Sequence, residues 1–235
     1  HIFGPPGLET LMKTMLAAGG HPLQFDITFQ TVEPGPKQLI FEDRLIAIHA
    51  FALKHRIPTI GYRIDEKPKL LNLDKEAIKA AGLRIEDLPK LKAGISIERD
   101  GKKYNYKKFT LPAQATYSYA YCSDTNPSPN YLKAIDGVDL LYHEATFTQQ
   151  HLERAKSTFH STAQQAGQQA TNAKCKYLLL GHFSSRYDDT ELHLHEARQT
   201  HSNVAAAEDG MHIVLGKWLP IFGNADKTPT PPAQK

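Results

Sequence analysis

The hydrophobic pattern of the N-terminal quarter of the chain predicts one helix followed by extended segments. Residues 5–18 place five apolar side chains on one helical face, and two glycines follow at the expected end of the helix. From residue 23 to residue 64 the spacing becomes typical of β-strands, most clearly in the runs IAIHAFAL and TIGYRI. This part of the chain is therefore predicted to form one helix and several strands.

Beyond residue 112, apolar runs alternate with helical stretches. The runs TYSYAYCSD, VDLLYHEATF and KYLLLGHF each predict a strand that ends in a loop. Amphipathic spacing between and after them predicts three helices, at 148–156, 161–173 and 189–200. Strands that alternate with helices are typical of an α/β domain, which is the fold class we expect.

The segment between these regions, residues 65–112, is rich in lysine and interrupted by proline and glycine. It carries ten lysines, two arginines and eight acidic residues, a net charge of +4 in a chain whose total is +3. DKEAIKAAGL predicts a short helix, and the Asp-Gly of ERDGKKY predicts a hairpin. We expect an insertion at 65–112 in a core formed by 1–64 and 113–224, followed by a disordered tail at 225–235.

The charge of the insertion has two interpretations. A basic segment beside a nearly neutral body indicates an anionic partner. An ordinary solvated surface rich in lysine explains the same composition equally well. Two cysteines, Cys122 and Cys175, lie among apolar or small residues and are predicted to be core thiols in a reducing cytoplasm. No apolar run approaches the length of a membrane span, so we expect no membrane association.

Residues able to bind metal or move protons follow each of the three predicted core strands. The candidates at these strand ends are Asp124, His143, Glu144 and His182. Two more are His55, just before the run TIGYRI, and His160, at the start of a predicted helix. One strand-end histidine is weak evidence, but the joint pattern is not easily accidental. Histidine with carboxylate and no cysteine suits zinc or manganese. A carboxylate such as Asp124 can bridge two metals, the geometry used for phosphoryl hydrolysis.

Several motifs between the first residue and about Trp218 resemble those of one known family. HIFGPPGL resembles the end of a His-x-His-x-Asp-His signature and the Phe-Gly-x-Pro-Gly that follows it. LKHRIPTIGYRI resembles a further metal motif, and SDTNP resembles the usual Gly-Asp-Thr with Ser123 in place of glycine. HEAT, HST and GHFSSRY match three more loops. Through these motifs the chain resembles the ribonuclease Z family of tRNA 3′-end processing enzymes.

The resemblance implies an α/β metallo-β-lactamase fold, an αββα sandwich whose N-terminal part is absent here, with an inserted flexible arm. It implies a zinc-dependent endoribonuclease that removes the 3′ trailer from precursor tRNA and leaves a 3′-hydroxyl on the tRNA. Two zinc ions per subunit are expected, and residues upstream of His1 would complete the cage. The metal ligands that the resemblance implies within this sequence are His1, His55, Asp124 and His182.

The resemblance also assigns roles to residues that do not bind metal. His160 is expected to be the general acid, oriented by Glu144, and His143 is a candidate for supporting the site from behind. The residues expected to hold the scissile phosphate are Arg186, Ser184 and Thr162. The 65–112 arm is expected to grip precursor tRNA, and sharing of arms between subunits implies a homodimer.

Two other functions remain open at this point. One is a metallo-β-lactamase-fold hydrolase of a small ester or phosphodiester, although such a substrate needs no basic arm. The other is a non-catalytic fragment that only binds RNA. Among the remaining histidines, His49 competes with His55 as a ligand, but the Gly-Tyr-Arg-Ile context favours His55. HLHEA at 193–197 is expected to be a solvated helix face, and the alternating tyrosines of TYSYAY are expected to pack on the core through one face.

Overall fold

The computed structural model describes residues 1–20, 23–216 and 222, so the expected disordered tail at 225–235 lies outside the described residues. The chain divides into two compact units. The core unit is His1–Asp65 with Tyr117–Lys235, and the insertion is Glu66–Thr116. No helix among the described residues has both the length and the apolar character needed to cross a bilayer.

The first part of the core unit has one helix and five strands. They are β1 (Ile2–Gly4), α1 (Leu8–Ala18), β2 (Phe29–Thr31), β3 (Gln38–Glu42), β4 (Ile46–Ala52) and β5 (Ile60–Glu66). The helix begins later than predicted because Gly7, with φ at +90°, is its N-cap and the preceding prolines form a turn. No side chain of α1 is buried, and Leu11 and Met15 are exposed.

The insertion is a folded unit with a small apolar core. Its elements are β6 (Asn72–Leu73), α2 (Lys75–Ala80), α3 (Leu88–Lys92), β7 (Ile97–Arg99), β8 (Lys102–Tyr104) and β9 (Thr110–Leu111). The predicted short helix is α2, and the predicted Asp-Gly hairpin joins β7 to β8, where Asp100 and Gly101 both have positive φ. Leu91, Ile97 and Phe109 form the buried centre of this unit.

The second part of the core unit carries the expected alternation of strands and helices. Its elements are β10 (Ser118–Cys122), α4 (Leu132–Ile135), β11 (Leu140–Glu144), α5 (Leu152–Thr158), α6 (Ala163–Asn172), β12 (Tyr177–Gly181), α7 (Glu191–Arg198) and β13 (Val204–Ala206). The three predicted strands and three predicted helices are confirmed, with helix boundaries that differ by a few residues.

These strands form a mixed seven-stranded sheet in the order β13-β12-β11-β10-β5-β4-β3. The four strands β10 to β13 run parallel, whereas β5 lies antiparallel to β10. The register pairs Cys122 with His143 and Glu144 with Gly181. The loops after β10, β11 and β12 therefore leave the sheet side by side, at the edge where an α/β fold concentrates its ligands.

Side chains alternate between the two faces of the sheet along each strand, and both faces are apolar. Leu141, Leu178 and Leu180 join one buried cluster together with the side chains of α4, α6 and α7. Their strand neighbours, including Leu140 and Leu179, join a second cluster on the opposite face. Strands that bury both faces are near-continuous hydrophobic runs, which is why LLLG and DLLY could be recognised in the sequence.

The burial of single side chains confirms two of the sequence predictions and contradicts a third. Cys122 and Cys175 are buried free thiols, as expected, and burial raises the pKa of the Cys175 thiol to about 12. Tyr119 packs on the second cluster, which confirms the expectation for one face of TYSYAY. The expectation for HLHEA is wrong. His193 and Glu196 are buried, since they lie three residues apart on the inner face of α7.

Candidate active site

Four side chains converge at the ends of the parallel strands. Asp124 follows β10, Glu144 ends β11, His182 follows β12, and His160 lies in the loop between α5 and α6. One imidazole nitrogen or carboxylate oxygen from each of the four side chains lies within 4.8 Å of the corresponding atoms of the other three. The sheet topology explains the convergence, because three of the four residues sit at neighbouring strand ends.

Glu144 is fully buried and accepts four hydrogen bonds. Its Oε1 accepts from the Thr125 N–H at 2.5 Å and from His160 Nδ1 at 2.9 Å. Its Oε2 accepts from the Thr146 hydroxyl at 2.6 Å and from the Ser161 N–H at 3.0 Å. A carboxylate has about four lone-pair positions, so these donors occupy the group completely. Glu144 therefore organises the site and has no lone pair left for a metal.

The ionised state of Glu144 follows from the same contacts. Burial acts to raise the pKa of this carboxyl, but the hydrogen bonds from His160, Thr146 and Ser161 outweigh burial and lower the pKa. A buried carboxylate that stays charged is a strong local source of negative potential. This potential acts most strongly on His160, the only one of these four donors that can carry a positive charge.

His160 has the properties of a proton donor. The hydrogen bond with Glu144 raises the pKa of the His160 imidazole; burial opposes this shift, and the charges of Glu144 and Asp124 add to it. Its side chain is 17% exposed, so the ring borders the site without being sealed in the core. Because Nδ1 is held by Glu144, Nε2 is the nitrogen free to meet a substrate.

Asp124 and His182 form the part of the site that best suits a metal. His182 Nε2 lies 3.3 Å from Asp124 Oδ1, and both side chains are more than two-fifths exposed. Two ligands on a tetrahedral zinc ion, with bonds of about 2.0–2.2 Å, are separated by roughly 3.4 Å. Both residues have positive φ, +58° and +57°, which L-residues adopt at a cost of about 1 kcal/mol or more. The donor atoms and their spacing fit a divalent metal.

His55 extends this group on one side. Its ring centroid lies 5.3 Å from that of His160, and its Nδ1 lies 3.0 Å from the carbonyl oxygen of Phe159. With Nδ1 donating to that carbonyl, Nε2 is left as the ligand nitrogen. The loop that carries His55 is held by a hydrogen bond from the Asn126 N–H to the Lys54 carbonyl at 2.8 Å.

The other histidines considered as ligands lie elsewhere. His49 is on β4 with its Nδ1 3.7 Å from Asp65, and burial lowers the pKa of its imidazole. His1 precedes β1 and stacks on Phe3 at 6.5 Å between ring centroids. Of the four predicted metal ligands, the structure therefore brings Asp124 and His182 together, sets His55 beside His160, and leaves His1 outside the four-residue group.

The residues predicted to hold phosphate divide into two kinds. Arg186 is exposed, donates to the Ser184 hydroxyl at 2.9 Å and lies 5.8 Å above the ring of Phe147. Thr162 is fully buried, and its hydroxyl caps α6 by accepting from the Gln165 N–H. Its geometry gives Thr162 a role at the start of the helix, so only Arg186 and Ser184 keep a proposed contact with phosphate.

His143 supports the site from behind. It is fully buried; its Nδ1 lies 2.7 Å from the Glu144 carbonyl oxygen and its Nε2 lies 3.0 Å from the Tyr131 hydroxyl. Nδ1 must donate to the carbonyl, so Nε2 accepts from Tyr131. Burial lowers the pKa of the His143 imidazole. His143 is therefore a neutral residue that fixes the backbone of Glu144.

Three functional residues were not singled out from the sequence, namely Thr125, Thr146 and Ser161. They supply three of the four donors to Glu144. Their signal was present, because each belongs to one of the motifs SDTNP, HEAT and HST. What could not be inferred was that all three motifs converge on one carboxylate.

Two solved structures share the fold of this chain. The metallo-β-lactamase fold protein YhfI from Bacillus subtilis matches with a TM-score of 0.55 and 16% identity, covering 89% of this chain and 63% of that one. The short form of human tRNase Z matches with a TM-score of 0.53 and 22% identity, covering 79% of this chain and 60% of that one. The fold is that of the metallo-β-lactamase class, with a site suited to a divalent metal.

Curated relatives specify the family. A protein named ribonuclease Z from Phocaeicola vulgatus is 40% identical over 209 residues, which are 88% of this chain and 68% of that protein. Ribonuclease Z of Cytophaga hutchinsonii is 38% identical over 212 residues, 89% of this chain and 67% of the relative. No family model matches the chain. The chain belongs to the ribonuclease Z family, and it spans about two-thirds of the length of these relatives.

Proposed function

We propose that the protein is an endoribonuclease that removes the 3′ trailer from precursor tRNA and leaves a 3′-hydroxyl on the tRNA. The observation that carries this proposal is the hydrogen-bonded Glu144–His160 pair, which lies beside Asp124 and His182 in a chain of the ribonuclease Z family. Two-metal hydrolysis of a phosphodiester combines a proton donor with a metal centre, and these side chains would supply the donor and ligands for the metal.

The metal we propose is zinc, two ions per subunit, with other divalent metals as substitutes. The ligands that this chain would supply are His1, His55, Asp124 and His182. Imidazole and carboxylate are ligands that zinc accepts, and Asp124 lies in one group with His160 and His182. When bound, the two ions would activate the attacking water and offset the charge on the phosphate.

His160 would deliver the proton that the reaction needs. Cleavage that leaves a 3′-hydroxyl breaks the bond between phosphorus and the 3′ oxygen, and that oxygen must gain a proton as it departs. His160 carries this proton on Nε2, because Nδ1 is engaged with Glu144 at 2.9 Å. The hydrogen bond with Glu144 stabilises the imidazolium and raises the pKa of His160, which favours the acid form.

Arg186 and Ser184 would hold the phosphate. The guanidinium of Arg186 is exposed and is oriented by Ser184 and by the ring of Phe147. A planar guanidinium matches two phosphate oxygens at once, so this contact fixes the orientation of the scissile group. The contact belongs to substrate positioning, whereas proton transfer stays with His160.

The insertion would bind the body of the tRNA. Nine of its ten lysines are exposed, and four of them lie on or near the β7–β8 hairpin, at Lys102, Lys103, Lys107 and Lys108. Lysines positioned on a folded unit contact the phosphate backbone without reading base sequence. A homodimer in the cytoplasm, in which one insertion serves the partner's site, completes the proposal.

The test is cleavage of a precursor tRNA carrying a 3′ trailer, with the product ends mapped. We expect one cut after the discriminator base, a 3′-hydroxyl on the tRNA, and loss of cleavage on exhaustive chelation with recovery on adding zinc. Cleavage that persists without metal would contradict the zinc mechanism. Turnover of a chromogenic phosphodiester alone would favour a small-substrate hydrolase, and tRNA binding without any turnover would favour a non-catalytic RNA-binding protein.

A further inference from the structure

Thr146 occupies a position between the buried carboxylate and the exposed metal-binding edge of the site. The side chain is buried, and its hydroxyl oxygen lies 2.6 Å from Glu144 Oε2 and 2.9 Å from His182 Nδ1. A longer contact of 3.4 Å joins the same oxygen to His160 Nδ1.

The direction of each hydrogen bond follows from counting protons. A threonine hydroxyl has one hydrogen, and an ionised carboxylate can only accept. The short contact with Glu144 Oε2 therefore takes the hydroxyl hydrogen. Toward His182, the Thr146 oxygen can then only accept, so the proton of His182 must be on Nδ1.

This proton placement determines which nitrogen of His182 is available. With hydrogen on Nδ1, Nε2 has a bare lone pair, and Nε2 is the atom that lies 3.3 Å from Asp124 Oδ1. The opposite tautomer would set an Nε2–H against the metal position and leave the Thr146 oxygen without its donor. An outer partner that selects the tautomer of a ligand histidine commonly strengthens metal binding.

We propose that Thr146 is a positioning residue that relays the charge of Glu144 to His182 and holds His182 in its metal-binding tautomer. The inference rests on the proposed function only in taking His182 as a ligand. The Glu144 carboxylate then orients two histidines, one that donates the proton and one that binds the metal. Glu144 contacts the proton donor His160 directly, and it contacts the ligand His182 through the Thr146 hydroxyl.

The alternative is that Thr146 only fills space in the loop after β11. Thr146→Val separates the two, because valine has almost the same shape and lacks the hydroxyl. Thr146→Ser restores the hydroxyl without the methyl group. Thr148→Val is the matched control, since Thr148 is a buried threonine of the same loop whose hydroxyl contacts Tyr187.

The measurement is zinc affinity by competition with a chromogenic chelator, together with the melting temperature of each metal-free protein. We expect Thr146→Val to weaken zinc binding about 10–100-fold, the usual effect of losing an outer partner of a ligand. Thr146→Ser is expected to stay within about threefold of the parent, and Thr148→Val is expected to lower the melting temperature without weakening zinc binding.

Two results would overturn the inference. One is equal zinc affinity in Thr146→Val and Thr148→Val; the other is a failure of Thr146→Ser to restore binding. Because the readout is zinc binding, it is separate from RNA cleavage. A protein that shows the expected order of affinities but leaves precursor tRNA intact would contradict the proposed function and still support the role of Thr146.

Discussion

The central carboxylate of the strand-end loops in the core unit is buried, whereas the lysines on the surface of the insertion are exposed. In the core unit, Glu144 is completely buried and every lone pair is engaged. In the insertion, nearly all lysines are exposed over a core centred on Leu91. Buried charges are strong and depend on fixed geometry, whereas exposed charges are weak one by one and tolerate variation. Chemistry is therefore expected to depend on single residues of the core, and binding on the sum of many residues of the insertion.

The largest expected effect is on the chemical step. His160→Ala removes the proposed proton donor, so the single-turnover rate of precursor tRNA cleavage should fall by about 10²–10⁴-fold, the usual contribution of general acid catalysis. Zinc content should stay near that of the parent. His195→Ala, at an exposed position of α7, is the control. Loss of zinc from His160→Ala would show that this residue is a ligand and not the acid.

The next effect should fall on binding and leave chemistry unchanged. Changing four exposed lysines of the insertion to glutamine removes four phosphate contacts at most, and should weaken tRNA binding about 10–100-fold and flatten its salt dependence. The positions are Lys102, Lys103, Lys107 and Lys108. Turnover of a small chromogenic phosphodiester should not change.

The matched control for that variant uses four exposed lysines of the core unit, namely Lys13, Lys133, Lys174 and Lys176. If both sets weaken tRNA binding equally, the insertion has no special part in recognition. If the insertion variant also slows turnover of the small phosphodiester, the assignment of binding to the insertion and of chemistry to the core unit is wrong.

A smaller effect should appear in the pH dependence. The hydrogen bond with Glu144 raises the pKa of His160 above 6.5. The proposed reaction uses the protonated form. The rate should therefore fall as pH rises through this raised pKa. Glu144→Gln removes the negative charge, so the alkaline limb of the kcat profile should move to lower pH. Glu196→Gln, at a buried carboxylate that binds the Gln149 N–H, should leave the limb in place.

The strands, the helices and the family could be predicted from the sequence because each is carried by a local pattern. The run LLLGH contains both a buried strand and the residue that follows it. The burial of Glu196 could not be predicted, because its partner, the Gln149 N–H, lies 47 residues away and a charged residue in a helix is usually solvated. The same applies to the apolar core of the insertion, where Leu91 and Phe109 meet across a stretch that looks polar.

The residues of the candidate site could also be predicted only in part from the sequence. Histidine and carboxylate could be recognised at Asp124, His160 and His182 because few other residue types bind metal or move protons. Hydroxyls such as that of Thr146 are common on any surface, and only the fold reveals which of them is committed to a buried carboxylate. Thr162 shows the opposite error, because its hydroxyl was assigned to substrate and is used by a helix cap.

The four donors around Glu144 also restrict how this position can change during evolution. Aspartate is one methylene shorter and cannot reach Thr125 and Ser161 together, while glutamine places an NH₂ group against N–H and O–H donors. Each single substitution leaves a buried donor without an acceptor, at a cost of about 1–3 kcal/mol per group. Glu144 therefore cannot be replaced by a single substitution without a loss of stability, whereas the lysines of the insertion can be exchanged one at a time. Related proteins are expected to differ freely in the insertion and to keep glutamate here.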